Sequence, residues 1–258
     1  MDEIKQKFKS LENAFDNFVK EFGGELISEL MPKSVDIPDN ADYIFREQNI
    51  IAELKCLEKE HLQSEDDYKK AAKQIKQAIE KGLLSESELS KYRSGEKTSD
   101  QISKIILSIP RRTIENRIRK AQEQINCSKT HFQKSDAIGL LLLANTGNYF
   151  SNHDNLIFQT VNLLAESKRA DSPINGFVYF TVDMFSESPL IEGRGTVWNA
   201  SYKNENQKNL SKFVDELGRK WTEFVSRNSG REIKIIEPSN AKEASEQLKS
   251  MSFIRSNK

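Results

Sequence analysis

Three charged side chains set among apolar residues stand out in the stretch ADYIFREQNIIAELK, residues 41–55. Asp42 opens a short apolar run, Tyr43, Ile44 and Phe45. A polar break follows at Arg46, Glu47, Gln48 and Asn49, and a second apolar run ends in Glu53, Leu54 and Lys55. Successive side chains of a strand point to opposite faces, so Glu53 and Lys55 share a face and Leu54 takes the other. Charges within apolar strands are costly unless they are paired or bind an ion. Two carboxylates on adjacent strands can hold one or two hard cations through oxygen. Mg²⁺ in such a place keeps waters in its shell, lowers their pKa and neutralises charge on a phosphate. A lysine beside it can orient or deprotonate the attacking water, or stabilise charge that builds on phosphorus. The chemistry that suits this set is phosphodiester hydrolysis. Asp42 and Glu53 would be metal ligands, Lys55 the catalytic cation, and Mg²⁺ or Mn²⁺ the cofactor.

These residues need elements to position them. The bland alternative for Glu53 and Lys55 is an exposed edge strand with a surface ion pair worth little. Ile50, Ile51, Ala52 and Leu54 argue for a strand with little freedom to sit at the surface. Arg46 to Asn49 reads as a tight hairpin connection, without the favoured Asn-Gly pair. Upstream, Ile4, Phe8, Leu11, Phe15, Phe18, Val19 and Phe22 recur at helical spacing over residues 2–22, and Gly23-Gly24 stops that helix. Residues 25–40 read as irregular. Residues 62–134 are strongly helical in composition: a helix over 68–79, a capped restart at Ser85–Glu88, a polar loop over 91–100, helix ending at Pro110, then a long helix over 113–132. Residues 136–145 form a near-continuous apolar run, which predicts a central strand buried on both faces. A helix over 155–167, strands over 176–184 and 196–202 joined by a turn at 193–195, a helix over 208–228, a strand over 232–237 and a frayed helix ending near 250 complete the pattern.

At 258 residues the chain can bury a substantial core as one domain. No apolar run approaches the roughly 20 residues needed to span a bilayer, and the first residues carry no apolar signal core, so no membrane partner is expected. Cys56 and Cys127 give neither a disulfide framework nor zinc spacing, which fits a reducing, cytoplasmic compartment. The formal net charge is zero, so nucleic-acid binding must rest on a local patch. From Lys104 to Lys134 there are eight Lys or Arg against two Glu, including Arg111, Arg112, Arg117, Arg119 and Lys120. That stretch is the candidate phosphate-contacting face, with a simply solvated face as the alternative. His61, His131 and His153 show no metal spacing and read as solvated surface, while Cys56 should point opposite Lys55 into the core.

Asp42 followed by Glu53-Leu54-Lys55 at the end of an apolar strand resembles the PD-(D/E)xK superfamily, the restriction-endonuclease-like nucleases. The order of elements over residues 2–168 is similar: a helix, strands bearing Asp and Glu-x-Lys, a helix, then the apolar strand. The resemblance implies an α/β fold, a restriction-endonuclease-like mixed sheet flanked by helices. Residues 62–134 would be a largely helical insertion within a single domain spanning 1–258. It implies that Asp42 and Glu53 bind Mg²⁺ and that Lys55 is catalytic. Some members add a glutamate from the first helix, for which Glu12 is the candidate with Glu21 behind it. Some also place a glutamine on the helix before the next strand, for which Gln124 fits, with Gln122 as the alternative. The literal Pro-Asp pair is Pro38-Asp39, but Asp42 directly precedes an apolar strand and is preferred.

The function implied is metal-dependent cleavage of nucleic acid, as a DNA endonuclease in restriction, repair or anti-phage defence. Cutting both strands needs two centres, which a homodimer would supply. The alternative is a non-catalytic module that binds nucleic acid or protein and retains the nuclease fold.

Overall fold

A strand that is apolar on both faces must be covered on both faces, and the core is built that way. In the computed structural model, residues 8–31, 40–57, 73, 75–93, 100–147, 152–166, 172–182, 184–204, 207–230, 233 and 235–254 are described. Helix α1 (Leu11–Phe22) leads into β1 (Glu25–Leu26), a single turn α2 (Ile27–Leu30), β2 (Tyr43–Phe45) and β3 (Ile50–Leu57). Then come α3 (Glu86–Arg93), α4 (Asp100–His131), β4 (Ile138–Asn145), α5 (His153–Ala165) and β5 (Ile174–Thr181). The chain continues through β6 (Ser186–Ser188), β7 (Ile191–Gly195), β8 (Trp198–Tyr202), α6 (Lys208–Ser229), α7 (Ala241–Ser250) and β9 (Ser252–Phe253). No helix among the described residues is long and apolar enough to cross a membrane.

The main sheet has six strands in the order β1-β2-β3-β4-β5-β8, and β7-β6-β9 form a smaller one. β2 and β3 pair antiparallel through the expected 46–49 turn, where Asn49 takes a positive φ of 53°. β3, β4 and β5 run parallel, with Glu53 opposite Leu141 and Lys55 opposite Leu143, and β8 closes the edge antiparallel. One face carries Ile50, Ala52, Leu54 and Cys56 of β3 and lies under Phe15 and Phe18 of α1 and Leu210, Val214 and Trp221 of α6. The other carries Ile51, Leu141, Leu143 and Tyr179 and lies under Ile114, Ile118, Ala121 and Ile125 of α4 and Leu156 and Leu163 of α5. The protein is therefore α/β, with a mixed sheet flanked by helices. Cys56 packs in the core opposite Lys55, as the alternation requires.

Local chemistry explains the helix ends. Ser10 caps α1 by accepting the Asn13 N–H at 3.1 Å, and Gly23 ends it in the left-handed conformation at φ 92°. Ser85 and Glu88 form the expected reciprocal cap of α3: the Glu88 carboxylate accepts the Ser85 N–H at 3.0 Å, and the Ser85 hydroxyl accepts the Glu88 N–H at 3.3 Å.

Several expectations are corrected. Pro110 does not end a helix; α4 is continuous from Asp100 to His131. Its Ile114–Ile125 stripe covers the sheet, so that part of residues 62–134 is the crossover helix joining β3 to the parallel β4. Residues 193–195 lie in β7, not a turn, because Glu187 pairs with Arg194 and Ser186 with Gly195. No strand forms at residues 233 and 235–237. β1, α2, β6 and β9 were not foreseen, being two to four residues long. Of the loop expected over 91–100, residues 91–93 end α3 and Asp100 opens α4, while 94–99 fall outside the described residues, as does the irregular segment around Pro32, Pro38 and Asp39. Within the helix expected over 2–22, α1 starts only at Leu11, after Lys9 at φ 61° and the Ser10 cap, and residues 2–7 fall outside the described residues.

Gly139 tests the packing of β4. A Cβ there would sit 2.1 Å from the Pro173 carbonyl oxygen, which is backbone and cannot swing aside. Gly139→Ala is expected to lower stability by about 1–3 kcal/mol, measured by urea unfolding. An unchanged midpoint would refute this close approach.

Candidate active site

The β2–β3 hairpin brings the expected trio together. Leu54 N–H donates to Asp42 Oδ2 at 2.8 Å, which ties the start of β2 to the end of β3. On the face away from Leu54, Lys55 Nζ donates to Glu53 Oε1 and to Gln124 Oε1, the latter at 2.7 Å. Gln124 reaches the centre from α4 and passes the contact on: its Nε2 donates to the Asn40 carbonyl oxygen at 2.9 Å. Glu53 is 1 % exposed, Lys55 8 % and Gln124 8 %, so the edge-strand alternative does not hold.

Two carboxylates and one ammonium leave the centre one negative charge out of balance. Burial is the main reason the Glu53 carboxyl is pushed up, to about 8; the charge of Asp42 adds to this and Lys55 opposes it. Asp42 is raised too, mainly by burial, against the Leu54 N–H and the charge of Lys55. Either a proton or a cation would balance that charge. No donor of the fold reaches the buried Glu53 Oε2, and the Glu53 carboxyl lies within hydrogen-bond reach of Asp42, a contact that two carboxylates make only by sharing a proton. That oxygen and the all-oxygen donor set of Asp42 and Glu53 fit a hard divalent ion. Among the described residues no group of three or more His, Cys, Asp or Glu side chains could form a cage. Mg²⁺ does not need one, since it is commonly bound by one or two carboxylates with waters and substrate phosphates.

The remaining candidates separate. Glu12 is exposed in the first turn of α1, where a negative charge favours the helix dipole. Glu21 pairs with Arg227 of α6 and lines a groove of about 500 Å³ with Phe18, Phe22, Phe213 and Phe224, which contains none of the trio. The acid of α1 whose charge acts on Asp42 is Asp16, which sequence reasoning missed. Its Oδ1 accepts the Tyr43 hydroxyl at 2.9 Å. A signal existed: aspartate is a poor helix former, and Asp16 sits mid-helix beside Phe15, away from the turn where an acid is ordinarily favoured. Gln122 donates to Ser172 Oγ at 2.8 Å, away from Lys55.

On α4, Arg111 pairs with Glu166, and Arg119 with Glu123 at 2.8 Å. The side chain of Arg112 lies outside the described residues, as does His61. Successive helical residues turn by about 100°, so Arg117 and Lys120, three apart, share one side of α4 while Arg111 and Arg119 lie on another, and the four do not form one stripe.

His131 is exposed, but His153 corrects the surface reading: it is fully buried at the start of α5. Its Nδ1 shares a hydrogen bond with the Tyr179 hydroxyl at 2.9 Å and its Nε2 with Ser186 Oγ at 2.6 Å. Asn145 Nδ2 donates to the same tyrosine oxygen at 3.0 Å. This network joins β4 and β5 to the small sheet. Burial lowers the His153 pKa to about 4, against 6.5 ordinarily. The unfolded chain then binds a proton that the folded one refuses, so this contribution to stability is lost as pH falls from about 6.5 to about 4. Wild type is expected to lose about 3 kcal/mol more than His153→Gln over that window in urea melts. Parallel pH curves would contradict it.

Comparison with family models, with curated proteins and with solved structures returned no match to this chain.

Proposed function

We propose that this chain is a metal-dependent nuclease that hydrolyses phosphodiester bonds, with DNA as the substrate and a restriction-endonuclease-like core. The observation that carries this reading is Glu53, a fully buried carboxylate with an oxygen that no donor of the fold reaches, flanked by Asp42 and Lys55. Asp42 and Glu53 would hold Mg²⁺ or Mn²⁺. When bound, such an ion supplies charge neutralisation on the phosphate and a more acidic water. Lys55 keeps its ammonium in place through Gln124, where it can orient the attacking water or offset charge as the phosphorus becomes pentavalent. Water adds to phosphorus, the bond to the leaving sugar oxygen breaks, and that oxygen takes a proton. The element order α1, β2, β3, α4, β4 supports the core assigned by resemblance. A homodimer would supply the second centre that double-strand cleavage needs, and the setting in restriction, repair or defence rests on the resemblance alone.

The test is incubation of supercoiled plasmid and of single-stranded RNA with the protein in Mg²⁺, Mn²⁺ or EDTA. Metal-dependent nicking or linearisation of the plasmid is the expected result. No cleavage of either substrate in either metal would overturn the reading. One observation favours the alternative of a binding module without turnover: Lys55 closes on Glu53 and Gln124, and each of these three is less than a tenth exposed. Salt-dependent DNA binding that is unaffected by Glu53→Ala, with no cleavage, would select that alternative.

A further inference from the structure

We infer that Ser128 is a positioning residue for Asp42, acting through the Asn40–Ala41 peptide one residue upstream of it. Ser128 lies one turn beyond Gln124 on α4 and is fully buried. Its Oγ accepts the Ala41 N–H at 2.8 Å, while Gln124 Nε2 donates to the Asn40 carbonyl oxygen at 2.9 Å. These two groups belong to the same peptide, Asn40–Ala41, so both of its polar atoms are fixed by residues four apart on one helix. A peptide unit is planar, so pinning its oxygen and its N–H fixes the plane that ends at the Ala41 Cα, and only the backbone dihedrals of buried Ala41 separate it from the peptide that leads into Asp42. The Ser128 hydroxyl also faces Asn40 Oδ1 at 3.5 Å, and Ile27 N–H donates to the Asp42 carbonyl oxygen at 2.9 Å on the far side. The other end of the Gln124 amide accepts Lys55 Nζ. One turn of α4 therefore sets Asp42 and Lys55 relative to each other. Gln124 reaches the lysine directly, and Ser128 touches none of the trio. Without its Oγ, the Ala41 N–H loses its acceptor and the plane is held at one atom in place of two.

This inference rests on the reading of Asp42 as a metal ligand, so its test uses Mn²⁺ without nucleic acid. Mn²⁺ affinity is measured by titration calorimetry on wild type, Ser128→Ala, Ser128→Cys and Thr130→Ala, with thermal unfolding in EDTA alongside. Thr130 donates its hydroxyl to the Asn126 carbonyl oxygen on the exposed side of the same helix and serves as the control. Loss of a group that orients a ligand typically weakens metal binding at least tenfold. Ser128→Ala is expected to bind Mn²⁺ about tenfold more weakly than wild type, Ser128→Cys to fall between them and Thr130→Ala to match wild type. In cleavage, the half-saturating Mn²⁺ concentration should rise about tenfold in Ser128→Ala, with kcat retained at saturating metal. Wild-type affinity in a folded Ser128→Ala protein overturns the inference and leaves the metal-centre reading standing. Should Ser128→Ala not fold, wild-type affinity in Ser128→Cys overturns it equally. Wild type that binds no Mn²⁺ removes the metal-centre reading and the positioning role with it.

Discussion

Lys55→Ala is expected to lower the single-turnover rate of plasmid cleavage by about a thousandfold while leaving Mn²⁺ binding at least as tight as in wild type. The size follows from the two roles open to the ammonium. Loss of a general base or of a preorganised charge at a reacting centre each costs roughly 10²–10⁴ in rate. The direction of the metal effect follows from charge. Lys55 donates to Glu53 Oε1, so removing it leaves buried Glu53 and part-buried Asp42 without their counter-charge. A divalent cation then compensates more of the deficit than before. A merely structural lysine would give the reverse pattern, in which metal affinity and rate fall together as the centre loosens. The lysine stem is buried, so Lys55→Met serves as the packing control and should show the same loss in rate with a smaller loss in stability. Gln124 loses its donor in both variants. Rates within threefold of wild type in either would remove Lys55 from the chemistry. Rates lowered in parallel with Mn²⁺ affinity would make it a residue of the scaffold.

Whether a residue's place could be read from the sequence depended on how local its determinants are. Glu53, Lys55 and Cys56 were placed on their faces by strand alternation, and the flanking isoleucines correctly signalled burial. Asp42 was placed by its position at the head of an apolar run four residues before the second strand. Gln124 came from a resemblance, but α4 confirms its contact because the Ile114, Ile118, Ala121, Ile125 stripe fixes which side of the helix meets the sheet. Asp16 was not read, since its influence on Asp42 depends on how α1 docks and on the Tyr43 hydroxyl between the layers. His153 was misread as surface because its burial is made by β5 and the small sheet, which lie more than 20 residues further along the chain. Pro110 was given its usual meaning as a stop, yet α4 runs through it. Pattern along the chain thus found the hairpin and its charges, and tertiary docking supplied the residues that adjust them.

Glu53→Gln is expected to make the metal-free protein more stable at pH 8 while abolishing cleavage. The folded-state pKa of Glu53 is raised from 4.5 to about 8, chiefly by burial. Between those values the folded chain keeps a proton that the unfolded chain has released, so the stability linked to this group is present below about 4.5 and is lost as pH rises towards 8. Glutamine is the uncharged isostere: it keeps an oxygen for Lys55, removes one of two carboxylates competing for one ammonium and has no proton to lose. At pH 8 in EDTA the variant should exceed wild type by about 3 kcal/mol, with the gap narrowing towards pH 5. Saturating Mg²⁺ should invert the order. A ligand at a thousand times its dissociation constant stabilises the folded state by about 4.1 kcal/mol, and wild type alone retains both carboxylates to hold it. Urea midpoints at pH 5 and pH 8, each with EDTA and with Mg²⁺, measure all four quantities. A variant less stable than wild type at pH 8 in EDTA would mean that the Glu53–Lys55 pair supports the fold. The charge imbalance would then not be what prepares this centre for a cation.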